Sequence, residues 1–248
     1  MEPGARGPRS APPAEAVFAE AVDHVEVVRR LWDSWEDGAE IRDAASGRFI
    51  DRNRIHHIEF EGPCFAVKGP SITPRSPQGQ PIVATLANTE AAYAFAAGSA
   101  DAVFVTAHDD RELAAIVARL DAARARAGHD PSQLQVFADV VVFLDDDPSV
   151  AAERRARLDA WAGTASSPDA FVFTGTPAGL AERLIAWGER GVRGFRLHPG
   201  AVPHDLLAIT RGLVDELRAR GAFRREYEAS TLRGLLGLGR PASRYTAA

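Results

Sequence analysis

The sequence predicts an α/β fold in which parallel strands are buried on both faces. Three observations carry that reading. Four continuous apolar runs stand at residues 81–87 (PIVATLA), 101–108 (DAVFVTAH), 134–145 (LQVFADVVVFLD) and 194–199 (GFRLHP). Each is followed by a segment whose apolar residues recur at helical spacing, and the joins carry capping or turn residues. Strands that are continuously apolar rather than alternating, interleaved with helices, are the pattern of βαβ units.

Taken in order, residues 1–13 (MEPGARGPRSAPP) are rich in Pro, Gly, Arg and Ala and carry too little apolar surface for a core, which predicts a disordered leader. Residues 14–35 turn helical, with Val17, Phe18, Val22, Val25, Val28, Leu31 and Trp32 on one stripe. Residues 36–80 read as an irregular insertion. Within it, strand-like pieces at 55–60 and 65–67 flank Gly62 and Pro63, the signature of a small hairpin. The prolines of 69–81 keep that stretch extended. Beyond residue 80 the strand–helix alternation begins. Helices are expected from about Asn88, over 109–128, from Asp147 to about Gly163, over the latter part of 174–191 after a Thr-Pro entry, and over 204–220. A closed eightfold barrel of about 250 residues needs eight such units. Four are legible here, which leaves two sheet edges without a partner.

Composition bounds the function. The 248 residues are 46% hydrophobic and 25% charged, ordinary for a globular chain, and a single large domain is expected. A net charge of −5 argues against nucleic acid as a partner. No apolar run approaches the ~18 residues of a membrane span. The N-terminus has no apolar secretory core, so a cytoplasmic location is expected. Cys64 is the only cysteine, which excludes an internal disulfide or multi-cysteine zinc site. Lys68 is the lone lysine among many arginines, which reads as coding bias rather than chemistry.

Five segments together carry a family likeness: VVRRLWDSWEDGAEIRDAASGRFID (27–51), RIHHIEFEGPCFAVKGP (54–70), PRSPQGQPIVATLANTEAAYAFAAGSADAVFVTAHD (74–109), TGTPAGLAERLIAWGERGVRGFRLHPG (174–200) and ELRARGAFRREYEASTLRGLLGLGRP (216–241). Over about residues 15–241, in collinear order, the chain resembles the C-terminal half of the bacterial luciferase-like, flavin-dependent monooxygenases. The nearest branch is that of the nitrilotriacetate, pristinamycin-IIA and dibenzothiophene-sulfone enzymes. The resemblance implies a partial (β/α)8 barrel over 14–241, made of roughly the last four βα units, with 242–248 as a tail. It also implies reduced FMN bound at the C-terminal ends of the strands, delivered by a partner flavin reductase and used with O2 on a small organic substrate. In the family the first four strands carry the catalytic polar groups, so no catalytic residue is assigned within this chain. FMN and a deazaflavin both stay open as the cofactor. A non-catalytic barrel remnant, binding flavin or serving assembly as a homo-oligomer or with a partner chain that completes the sheet, is the alternative. A reading frame that starts late is a further expectation about the N-terminus.

The family's phosphate loop maps onto Ala87, Asn88 and Thr89, followed by Glu90. Helix N-terminal amides and small hydroxyls make an anion site there, and capping of the next helix is the structural alternative. The turn at 174–179 (TGTPAG) resembles the family's equivalent, although helix initiation explains Pro177. Arg196 and His198 share a strand face near the strand's C-terminal end, where a barrel carries its chemistry, but they are not signatures of the family, and a histidine that only hydrogen-bonds within the rim is the favoured structural reading. His56, His57, Glu59 and Glu61 invite a metal reading, but alternation along one exposed strand explains His57, Glu59 and Glu61, and no metal is expected. Asp145, Asp146 and Asp147 read as helix capping, and Cys64 has no evident base. No Walker, Rossmann or serine-elbow motif is present in the sequence.

Overall fold

The computed structural model describes residues 13–128 and 134–245. The leader expected at 1–13 lies outside the described residues except for Pro13, which precedes the first helix. The chain divides into two compact units, residues 13–81 with 240–245, and Ile82–Gly239. No helix among the described residues is long and apolar enough to cross a membrane.

In the smaller unit, α1 (Ala14–Asp33) presents Val27 and Leu31 to the hairpin β3 (Phe60–Glu61) and β4 (Ala66–Val67), forming a small core with Ile58, Phe60 and Phe65. A second hairpin pairs β1 (Glu40–Asp43) with β2 (Arg48–Ile50). The hairpin expected across Gly62 and Pro63 is present, with Phe60 opposite Val67, but its first arm is shorter than the 55–60 reading. Glu59 sits at φ +42°, a left-handed conformation that interrupts extended pairing, so strict alternation from His57 to Glu61 is broken. Residues 240–245, in part the expected tail, pack into this unit, where Tyr245 stacks on His56 at 4.9 Å.

The larger unit holds an all-parallel sheet of five strands: β5 (Ala84–Leu86), β6 (Ala102–Val105), β7 (Gln135–Leu144), β8 (Phe171–Gly175) and β9 (Gly194–Pro199). Four were expected. The fifth, β8, is a short FVFTG run on which the Thr174–Gly175 turn sequence masks the strand signal. Register explains how β7 serves three neighbours. Residues 135–138 pair with β6, 140–144 with β8, and 137–142 with β9. The overlaps put β9 on one edge and β6 and β8 end to end on the other. Among the described residues β5, β8 and β9 each keep one edge without a strand partner.

Helix caps fall where the sequence puts them. Asp109 caps α3 (Asp110–Ala127), Asp147 caps α4 (Pro148–Ala162) and Thr176 caps α5 (Pro177–Gly188), each accepting a backbone N–H from the first turn. The outer face of β7, with Val136, Ala138, Val140, Val142 and Leu144 all at 2% exposure or less, is fully buried. On α5, Trp187 is also fully buried and meets Phe171 and Phe195 from neighbouring strands. The single helix expected over 204–220 is instead α6 (His204–Leu207), a π-helical segment Ala208–Leu213, and α7 (Val214–Ala219). There Gly212 lies so close to Pro177 that a Cβ would stand 2.9 Å from its ring. The last element of this unit is α8 (Leu232–Leu235).

One buried carboxylate ties the top of the sheet together. Asp205, with no exposure, accepts from the backbone N–H of Leu144 at 2.8 Å and of Ala201 at 2.7 Å, and from Arg154 Nη2 at 2.9 Å. Asp205→Ala leaves a buried guanidinium and two amides without that acceptor, and we expect a loss of about 3–5 kcal/mol in urea denaturation. A change below about 1 kcal/mol would show that the network contributes little.

Candidate functional site

Three places at or near the C-terminal side of the parallel sheet carry polar groups, the side on which open α/β sheets bind ligands.

The first is the junction of β5 with α2 (Glu90–Ser99). Thr89 caps α2, its hydroxyl accepting from the Ala92 N–H at 3.3 Å. Asn88 and Thr89 are exposed, whereas Ala87 is 1% exposed and its N–H is used by the Phe104 carbonyl at 3.0 Å. Glu90 lies 3.5 Å from Arg119, which offsets part of its charge beside the helix terminus. An exposed carboxamide, an exposed hydroxyl and the first-turn amides form a donor set that fits a phosphate ester, with Ala87 as a buried wall behind it. Capping and anion binding are compatible here, because the cap uses the hydroxyl as acceptor and leaves its proton free to donate.

The second lies on the inner face of the sheet. Alternation puts Phe104, Phe137, Asp139, Val141, Arg196 and His198 on that face, opposite the buried outer row. Asp139 is 4% exposed. Its Oδ1 accepts from Arg196 Nε at 2.9 Å, its Oδ2 from Arg196 Nη2, and His198 Nε2 stands 3.5 Å from the same Oδ2. The paired carboxylate raises the Arg196 pKa further above its ordinary value. Arg196 also lies over the Phe104 ring, 4.7 Å from its centre. The two residues singled out from strand parity are thus brought together, and the group that joins them is Asp139. Sequence reasoning passed over it as part of an apolar run. A lone carboxylate inside a continuously apolar strand was the available signal.

The third is an open cleft of about 450 Å³ at the end of β7, lined by Asp145, Asp146, Pro177, His204, Leu207 and Arg211 among others. His204 Nε2 lies 3.1 Å from both the Leu144 carbonyl and Asp145. The Arg154 guanidinium, donating to Asp145 at 3.0 Å, holds that carboxyl below the usual carboxylate range. Asp147, by contrast, is an N-cap that accepts from the Ser149 N–H and hydroxyl. So the acidic run divides between capping and an ion-pair network. No sequence signal marked the π-helical segment or the cleft beside it.

The remaining sequence candidates do not converge. His56 hydrogen-bonds Glu36 at 2.6 Å, and His57 pairs through Nδ1 with the Gly69 carbonyl at 2.7 Å. Glu61 belongs to β3, and the exposed Cys64 follows in the hairpin turn. Thr174 and Gly175 are strand residues, while Thr176 and Pro177 start α5 as a cap and first-turn proline.

The family model described as "Luciferase-like monooxygenase" matches residues 5–194. The chain is 27% identical to nitrilotriacetate monooxygenase component A of Aminobacter aminovorans, over 90% of this chain and 63% of that protein. Among solved structures it is similar to long-chain alkane monooxygenase (LadA), with TM-score 0.82, 25% identity, and coverage of 93% of this chain and 62% of that one. It also shares its fold with riboflavin lyase (RcaE), solved with modified FMN and riboflavin, with TM-score 0.81, 22% identity, and coverage of 93% and 64%. The chain therefore spans less than two thirds of the length of each of these relatives.

A carboxyl depressed in the folded state stabilises the fold above its unfolded value and loses that contribution as pH falls through the folded value. Asp145 should accordingly titrate below the ordinary aspartate range in a carboxyl NMR titration, and stability should decline as acid protonates it. An ordinary midpoint for Asp145 would contradict its pairing with Arg154.

Proposed function

Because the chain belongs to the luciferase-like monooxygenase family, we propose that it supplies the phosphate-binding and strand-end portion of an FMN-dependent monooxygenase acting on a small organic substrate. The observation that carries this is the β5–α2 junction. An exposed carboxamide and hydroxyl stand at the start of a capped helix, at the C-terminal end of a parallel strand. In this reading Asn88 and Thr89 donate to the FMN phosphate, with Ala87 as the apolar wall behind them. Reduced FMN, when bound, supplies the electrons that activate O2 for transfer of one oxygen atom to the substrate. The chain's own residues do simpler work. The α2 terminus compensates phosphate charge, Arg119 draws the Glu90 carboxylate into an ion pair, and Phe104 and Phe137 offer an aromatic surface 5.3 Å apart on the inner face. A flavin reductase in the cytoplasm delivers the reduced cofactor.

A second reading is favoured by the sheet itself. The outer edges of β5 and β9 lack strand partners among the described residues, and Leu86 is 48% exposed. Unpaired edges and exposed apolar side chains favour association, so another copy or a partner chain completes the sheet. The chain then serves as a flavin-binding or assembly module. Light scattering on the purified chain tests this. A dimer or larger assembly is expected, and a stable monomer at all concentrations refutes it.

The cofactor reading is tested by flavin fluorescence quenching. FMN should bind and quench, and Asn88→Asp, which places a carboxylate beside the phosphate, should weaken FMN about tenfold or more. Riboflavin, which has no phosphate, should be unaffected by the change. Equal sensitivity of both ligands, or no quenching by FMN in the folded chain, would overturn the assignment of Asn88 and Thr89.

A further inference from the structure

The inner face of the parallel sheet carries more hydrogen-bond donors than its own carboxylate uses, and that surplus defines a ligand. Asp139 engages Arg196 side-on, through Nε to one oxygen and Nη2 to the other. This spends only one edge of the guanidinium. Nη1, and the second N–H of Nη2, form the other edge, which presents parallel donors matched to a planar carboxylate. The Arg196 and His198 side chains are each 45% exposed, so both are within reach of a small molecule. Asp139 is 4% exposed and its oxygens already accept from Arg196, so on the open side the carboxylate is spent and the free edge of the guanidinium is left to donate.

The surroundings define the rest of the ligand. The guanidinium lies over Phe104, and Phe104 tilts against Phe137 with ring centres 5.3 Å apart. Parallel register puts Leu86 beside Phe104 and Val141 beside His198. An apolar platform therefore adjoins the donors. Charge limits the ligand further. Asp139 cancels Arg196, so the cluster reaches at most one net positive charge, when His198 is protonated. That suits one carboxylate and disfavours a polyanion. Holding Arg196 by a buried counter-ion and an aromatic ring also fixes its free edge before any ligand arrives, which lowers the entropic cost of binding.

We propose that Arg196 and His198, held in place by Asp139, form the recognition site for a monocarboxylate whose apolar or aromatic body lies along Phe104 and Leu86. Identifying that ligand as the substrate rests on the monooxygenase reading given above; the carboxylate site itself does not.

Benzoate is the probe, titrated calorimetrically into the full chain, with benzamide as its uncharged isostere. Saturable benzoate binding is expected, with benzamide about tenfold weaker or more. The NMR signals of the Arg196 Nη hydrogens, on the free edge, should shift as benzoate saturates. Arg196→Lys keeps a counter-charge for Asp139 but removes the planar fork, and should weaken benzoate about tenfold. Absence of benzoate binding, equal affinity for benzamide, or an unmoved Arg196 signal would each overturn the proposal, whether or not the lysine variant folds. So would full affinity in a folded Arg196→Lys chain. FMN quenching in the same samples separates the two readings. FMN binding without benzoate binding removes this site alone, whereas benzoate binding through Arg196 without FMN removes the flavin reading and leaves the carboxylate site standing.

Discussion

Four aspartates are buried among the described residues, and each is held by an arginine: Asp33 by Arg75, Asp101 by Arg233, Asp139 by Arg196 and Asp205 by Arg154. An isolated buried carboxylate would cost several kcal/mol, so these pairings are obligatory once the aspartates are inside. The partners are 42 to 132 residues apart in sequence, and each pair lies within a single unit. They therefore act as long-range ties, fixing which segments meet.

The ties share a logic. Each aspartate that also has backbone partners satisfies them with the second oxygen or the remaining lone pairs, as Asp101 does with the Val83 N–H at 2.8 Å and Asp205 with Leu144 and Ala201. In the smaller unit, Asp33 takes Arg75 on one oxygen and Gln80 on the other. Arg75 in turn donates to the Pro241 carbonyl at 2.7 Å, which docks the 240–245 segment. Lysine, whose three donors radiate from one nitrogen, would not reproduce the planar, spread fork by which Arg75 reaches Asp33 and the Pro241 carbonyl.

Asp139 differs from the other three. Its guanidinium partner is nearly half exposed, whereas Arg75 and Arg154 expose only 1% and 10% of their side-chain surface. Arg75 and Arg154 direct their Nη donors onto carbonyls and carboxylates of the fold, as Arg154 Nη2 does with the Leu144 carbonyl at 2.6 Å. On the inner face of the sheet the donors stay open. The same electrostatic requirement that stabilises the interior elsewhere here leaves a prepared binding edge, at the side of the sheet where the β5–α2 junction also ends.

Local chemistry in the sequence determined much of this protein. Continuous apolar runs mark β6 and β7, because strands buried on both faces need them, a shorter run marks the half-buried β9, and Asp109, Asp147, Thr89 and Thr176 mark helix starts, because their side chains accept otherwise unpaired amides. The family likeness is also carried by sequence alone. Tertiary structure decided the rest. The strand β8 is only five residues long and gains its identity from pairing with β7. The left-handed Glu59 breaks an alternation that side-chain order suggests, and the π-helical turn at 208–213 arises where Gly212 packs against Pro177. Asp139 becomes meaningful only when parallel register sets it opposite Arg196, since no local pattern encodes a partner 57 residues away.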